Sequence, residues 1–300
     1  MTENIHELEK TMFPPDGSGL KPYEWMVTPT RQRQWIDAQG IYLWLAFFFS
    51  EIGAGLYFIS LFYGNRTGLV LGYLIALALG GIIHMRYLGN PTRAWRMLLR
   101  PQTSELSRGI WIIGVFAAVG FIQVVTGSFS FLLNCVSGIL CLLIISHGFA
   151  TMNVIRALPA WSSTMVLPLS VISGVWVGSQ LLQFILLLSG GGAAAGAMEV
   201  WAQVFWLAYA LCIVLYIWGT WHANEVAQAS IRSMVRGELK RISLIGVVGL
   251  ALVLPLFWTL IIHLTSVGGF LVFMRLVTVI AGDLAVRYLI MKTAVYKPLL

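Results

Sequence analysis

The sequence predicts an all-α polytopic membrane protein whose eight transmembrane helices form two four-helix bundles, and three observations predict it. The 300 residues are 58% hydrophobic and 10% charged, against about a quarter charged in soluble domains. The mean hydropathy is +0.83. Eight apolar segments each approach the length that a hydrocarbon core of about 30 Å demands, about 20 helical residues, since lipid leaves no unpaired backbone group satisfied. An ordinary soluble enzyme, a disordered chain and a secreted disulfide scaffold are excluded.

Residues 1–37 form a polar arm. They hold Pro14, Pro15, Gly17 and several carboxylates, and no short apolar run ends in a small-residue cleavage site, so no cleavable signal peptide is expected. The transmembrane domain follows over 38–300. Its spans are expected at Ile41 to Tyr63, Gly68 to Tyr87, Gly109 to Thr126, Phe131 to Thr151, Met165 to Leu188, Val200 to Trp221, Ile242 to His263 and Gly268 to Ile290. Pro168 falls near the start of the fifth span, and Pro255 inside the seventh predicts a kink. The Gly/Ala run from Gly190 to Gly196 reads as a flexible connection. An even number of spans puts both termini on one side.

The formal net charge of +7 reads as topology rather than nucleic-acid binding. Of the 19 Lys and Arg, all but Arg66 and Arg275 sort to the termini side, which the positive-inside rule assigns to the cytoplasm. A basic loop can instead be a docking surface for an acidic partner. Cys135, Cys141 and Cys212 lie in apolar runs, and no CxxC occurs. The thiols therefore read as small hydrophobes, and no iron–sulfur cluster is expected in this chain.

Charges inside a span cost about 2.5–3.5 kcal/mol or more on insertion scales, so each is a functional candidate. Glu51 lies about ten residues into the first span, followed by the small residues Gly53, Ala54 and Gly55. It reads as a proton-carrying carboxylate facing the bundle, or else as a packing acid held by an Arg. Asp283 and Arg287 form an i,i+4 pair on the last span, as a clamp or a relay. Arg275 is expected to pair within the bundle.

His84, His147 and His222 fall near the termini side of their spans and His263 near the other. His84 and His147 match in depth as a haem ligand pair would; His263 has no counterpart. His222 is expected to be a hydrogen-bonded interface residue. Gln123, Asn134, Gln180 and Gln183 read as interhelical glue. Trp95, Trp111, Trp161, Trp201, Trp218 and Trp221 sit mostly near span ends, where aromatic side chains anchor the interface.

The stretch from His84 to Trp111, HMRYLGNPTRAWRMLLRPQTSELSRGIW, is richer in Trp, Pro and Gly than a topogenic loop requires. With SEIGAGLYF from Ser50 and AGDLAVRYLIMKTAVYKP from Ala281, it resembles the NrfD-like membrane subunits, the family that includes the polysulfide reductase membrane subunit PsrC. The resemblance runs over essentially the whole chain. It implies a subunit that exchanges electrons between membrane quinone and a four-cluster ferredoxin-like iron–sulfur partner, itself bound to a molybdopterin or other catalytic subunit, in the inner membrane of a prokaryote. It implies quinone or quinol as cofactor, menaquinone or ubiquinone, and no haem in this chain. The quinone pocket is implied in the first four-helix bundle near the partner's side, a region that here includes Tyr42, His84, Arg108, Trp111 and His147. Glu51 departs from the family pattern.

The leading expectation is thus a quinone-reactive anchor with His84, Glu51 and Asp283 as proton-handling residues and Arg93, Arg96 and Arg100 as the docking loop. A transporter or ion-translocating subunit using Glu51, Asp283 and Arg275 stands as the alternative, and a di-haem cytochrome b anchor as the third.

Overall fold

The computed structural model describes residues 27–33 and 35–298. Most of the expected arm, including Lys10 and Lys21, lies outside them. Eight helices are long and apolar enough to cross a membrane. The spanning helices are α1 (Gly40–Tyr63), α2 (Arg66–Tyr87), α3 (Glu105–Thr126), α4 (Phe131–Asn153), α5 (Val166–Leu188) and α6 (Gly192–Ala223). A short surface helix, α7 (Glu225–Val235), precedes the last two spans, α8 (Lys240–Leu264) and α9 (Gly269–Lys292).

Local chemistry sets the boundaries. Gly64 closes α1 at φ 56°, a left-handed conformation that glycine adopts without a Cβ clash. Asn65 then caps α2, its side-chain oxygen accepting from Gly68 N at 2.7 Å. Asn224 caps α7 likewise, accepting from Ala227 N at 2.9 Å. Two spans contain π-helical turns, Ile75–Leu79 in α2 and Ser243–Val253 in α8. The second ends one residue before Leu254, and Pro255 follows at the restart of the α-helix. Its missing N–H thus falls where the backbone register already changes.

The expected flexible connection at 190–196 is a correction. Of that run only Gly190 and Gly191 lie outside helix, and α6 begins at Gly192. The alanines at 193–195 are the best helix formers, so the run propagates helix rather than breaking it. The extra turns bring Glu199 inside the bundle.

Helices α1 and α5 pack along a close seam. A Cβ on Gly55 would lie 2.0 Å from Gly174 O, and one on Gly178 would lie 2.3 Å from Gly55 C, so backbones touch where small residues permit it. Two buried apolar clusters flank this seam. One is built mainly from α1–α5; the other gathers α5, α6, α8 and α9 with the termini-side ends of α1 and α4.

Both ends of the described chain meet on one side. Strand β1 (Thr30–Arg31) pairs antiparallel with β2 (Val295–Tyr296). Gln32 Nε2 donates to Met291 O at 2.9 Å, and Lys292 forms an ion pair with Asp37. Trp161 is no interfacial anchor: it is fully buried, and its indole N–H donates to Ile290 O at 2.9 Å.

Candidate site in the first helix group

A cavity of about 390 Å³ opens on the termini side between α1, α2, α3, α4 and a 3₁₀ helix at Pro91–Leu99. Its walls are almost wholly apolar, including Phe47, Ile110, Ile113 and Ile144, and its polar groups are Ser50, Glu51, His84 and His147. Met85, Trp95, Leu98 and Leu106 line it and are also exposed, so they form its mouth.

The cavity follows from where the helices touch. Tyr73 OH donates to Ala117 O at 2.8 Å, and a Cβ on Gly120 would sit 2.9 Å from the Tyr73 ring, so α2 and α3 are tied at mid-depth. The π turn of α2 lies directly below Gly80. Such turns are frequent at functional sites because they re-aim the residues that follow. Above it, Gly80, Gly81, Gly109 and Gly114 line the cavity, and an added Cβ at Gly81 or Gly114 would meet nothing within 4 Å.

Two glycines reserve room for specific side chains. A Cβ on Gly109 would lie 1.9 Å from His147 Nε2, and one on Gly148 would lie 2.5 Å from Glu51 Oε1. Neither position tolerates even alanine unless the polar group moves. His84 packs edge-on against Phe47 and Tyr87, with ring centroids 6.1 and 6.4 Å away.

Glu51 forms the inner end of the cavity and joins it to the second helix group. Its Oε2 accepts from Arg287 Nη1 and lies 3.0 Å from Ser170 Oγ. Its Oε1 is buried without a hydrogen-bond partner among the described residues. Arg287 also donates through Nε to Asp283 Oδ2 at 2.7 Å and through Nη2 to Ser173 Oγ at 2.6 Å. Its guanidinium lies 5.8 Å from the centroid of the Phe48 ring and 5.5 Å from that of Phe149, within cation–π range. Asp283 Oδ1 accepts from Ser173 Oγ at 2.6 Å and Tyr209 OH at 2.8 Å. Arg287, counted by sequence among the termini-side cations, is thus a buried side chain of α9.

A second ionic cluster lies toward the opposite side. Arg275 grips Glu199 with both terminal nitrogens, at 2.5 and 2.7 Å, and also donates to Gln183 Oε1 at 2.5 Å and Thr259 Oγ1 at 2.9 Å. Glu199 accepts further from Gln183 Nε2 at 2.7 Å and Gln203 Nε2 at 3.2 Å. His263 is exposed and bonds to Gln203 at 2.7 Å. Arg275 therefore pairs within the bundle, with Glu199, which lay outside the expected sixth span.

The structure brings Glu51, His84 and His147 to one cavity, with Asp283 one guanidinium away from Glu51. Tyr42, Arg108 and Trp111 do not line it. Arg108 is exposed and held by Glu105 and by the carbonyls of Pro101, at 2.9 Å, and Gln102, at 2.8 Å. Trp111 donates its indole N–H to Leu98 O at 3.1 Å, which fixes the 3₁₀ helix over the mouth. Arg93, Arg96 and Arg100 are exposed beside that mouth, and Arg96 lies 5.7 Å from the Trp95 ring centroid.

Gln123 is glue as its position suggests. It accepts from Tyr57 OH at 2.8 Å and Ser137 Oγ at 2.6 Å and donates to Asn134 Oδ1 at 2.8 Å. His222 is exposed, its Nδ1 2.8 Å from Trp218 O. Sequence reasoning missed Glu199, Ser170, Ser173 and Tyr209. Ser170 and Ser173 share a face of α5 with Gly174, a signal that helical spacing carries. No group of three or more metal-binding side chains occurs among the described residues.

No family model matches the chain, and the comparison with curated proteins found no match.

Proposed function

We propose that the protein is a quinone-reactive membrane subunit of a respiratory oxidoreductase, exchanging electrons between quinol and an iron–sulfur partner docked on the termini side. The observation that carries this is the cavity itself. It is an apolar slot among the spanning helices, reached by an exposed mouth, with two imidazoles, a carboxylate and the Ser50 hydroxyl as its polar groups. Flat apolar walls suit a lipophilic ring, and a few polar groups suit its two oxygens. Quinol oxidation releases two protons with two electrons, and imidazole is the side chain whose ordinary titration range suits such proton transfer.

The resemblance of the His84 to Trp111 stretch to NrfD-like subunits supports the same reading, since that stretch supplies the 3₁₀ helix and mouth. In this reading the termini face the cytoplasm of a prokaryote, Arg93, Arg96 and Arg100 meet carboxylates of the partner, and a molybdopterin or other catalytic subunit lies beyond. Guanidinium groups suit that contact because they bond carboxylates in pairs.

In the assembled complex, His84→Ala should abolish turnover with quinol while the partner subunits still react with an artificial dye. Unchanged quinol turnover in His84→Ala and again in His147→Ala, with the complex intact, overturns the proposal.

A further inference from the structure

We infer that Glu51, Arg287 and Asp283 form a one-proton store shared between the two helix groups, loaded from the cavity through the free Oε1 of Glu51. The inference rests on the quinol reading of that cavity and adds where one of the two protons goes.

Three observations carry it. The first is charge. Two carboxylates surround one guanidinium, so with both acids ionised the cluster holds one unmatched negative charge in a buried site. An unmatched buried charge is costly, and one added proton removes it. The second is Oε1, which points where Gly148 has no side chain and bonds to nothing among the described residues. That oxygen is buried just behind the cavity wall that Glu51 lines, and a carboxylate oxygen without a donor can take a proton once a side-chain rotation brings it to the cavity.

The third is Ser170. Its Oγ lies 2.5 Å from Ile145 O and 3.0 Å from Glu51 Oε2. A hydroxyl has one hydrogen, so it cannot donate fully to both oxygens. If Glu51 carries a proton on Oε2, that proton is donated to Ser170 Oγ while Ser170 donates to Ile145 O, and both contacts are hydrogen bonds. Rotation of the carboxyl group exchanges the oxygens between cavity and serine. Around Glu51 stand Arg287 of α9 and Ser170 of α5 in direct contact, Asp283 of α9 and Ser173 of α5 bonded to that Arg287, Tyr209 of α6 behind Asp283, and His84 of α2 and His147 of α4 lining the same cavity.

The step balances as follows. A hydroquinone O–H bond breaks and an O–H bond forms on Glu51; the second hydroquinone proton passes to a cavity imidazole. The ring loses two electrons, one to each of two one-electron iron–sulfur acceptors in the partner, and becomes the quinone. Arg287 then keeps Asp283 as its charged partner, and the cluster is neutral.

Infrared difference spectroscopy on the purified chain tests this, with a short-tailed naphthoquinol in the cavity oxidised at an electrode through a soluble mediator. The wild type should gain the C=O stretch of one protonated carboxylic acid, shifted in D₂O. Glu51→Gln should lose that band, and Glu199→Gln should keep it. Ser170→Ala should move its frequency, which serves if Glu51→Gln does not fold. If the naphthoquinol binds and is oxidised while no carboxylic band appears, or if the band survives Glu51→Gln or is unmoved in Ser170→Ala, the store is refuted and the cavity reading stands. If no saturable naphthoquinol binding occurs in the wild type, the cavity reading fails and the store falls with it.

Discussion

Two buried ionic clusters cross the same helix pair, α5 and α9, and they are built to opposite specifications. At the opposite side, Arg275 and Glu199 match one for one, with both carboxylate oxygens bonded. At the termini side, Arg287 serves both Glu51 and Asp283, and one Glu51 oxygen is left buried and unbonded. The first arrangement is a charge-balanced clamp whose one unbonded polar atom among the described partners, Arg275 Nε, lies on the cation. The second leaves an unpaired carboxylate oxygen, itself buried, directly behind the wall of an open cavity. Buried charge in a membrane protein is thus not by itself a functional sign; the sign is an unequal count beside open space.

The sharpest way to break this comparison is to remove one acid from each cluster. Glu199→Ala strands Arg275 without a counter-charge, and orphaning a buried ion costs about 3–5 kcal/mol. Glu51→Gln leaves Arg287 bonded to Asp283, so the expected loss is smaller, about 1–3 kcal/mol. Unfolding in mild detergent should rank the two in that order. The reverse order would mean that Glu51, not Glu199, is the structural clamp.

A middle-sized effect is expected at Gly148. Alanine there intrudes on Glu51 Oε1, and overpacking costs about 1–3 kcal/mol. Affinity for a quinone analogue should fall by about tenfold or more, equivalent to at least about 1.4 kcal/mol. Gly219→Ala, where an added Cβ meets nothing within 4 Å, should leave stability and affinity unchanged. Equal affinities in the two variants would show that the ligand does not reach the inner end of the cavity.

The smallest effect belongs to the amide network. Tyr57→Phe removes one hydrogen bond to Gln123, worth about 0.5–1.5 kcal/mol, and should not alter quinol turnover. A large kinetic defect would join that network to the site.

Span number and placement were legible because lipid imposes one rule on every segment, and a run of about 20 apolar residues satisfies it in one way. The start of α6 was not, because glycine and alanine signal both linker and tight helix packing; the bundle around Glu199 decides between them. Glu51, Asp283, Arg287 and Arg275 stood out as charges in apolar runs. Their partners did not, since Ser170, Tyr209 and Glu199 reach them only through the fold. Arg108 and Trp111 show the converse. Their loop borders the cavity, but a capping contact to Glu105 and a bond to Leu98 O turn them toward the surface.

The central claim, that a quinone ring occupies the cavity of the first helix group, is tested most directly by photoaffinity labelling. A photoreactive quinone analogue is bound to the intact chain in detergent, illuminated, and the labelled peptides are identified by mass spectrometry. The account predicts saturable labelling confined to the segments around Phe47 to Glu51, Ala76 to Ala117 and Ile144 to Gly148, suppressed by excess unlabelled quinone. Labelling that does not saturate, or that falls mainly on α6 and α8, would contradict it.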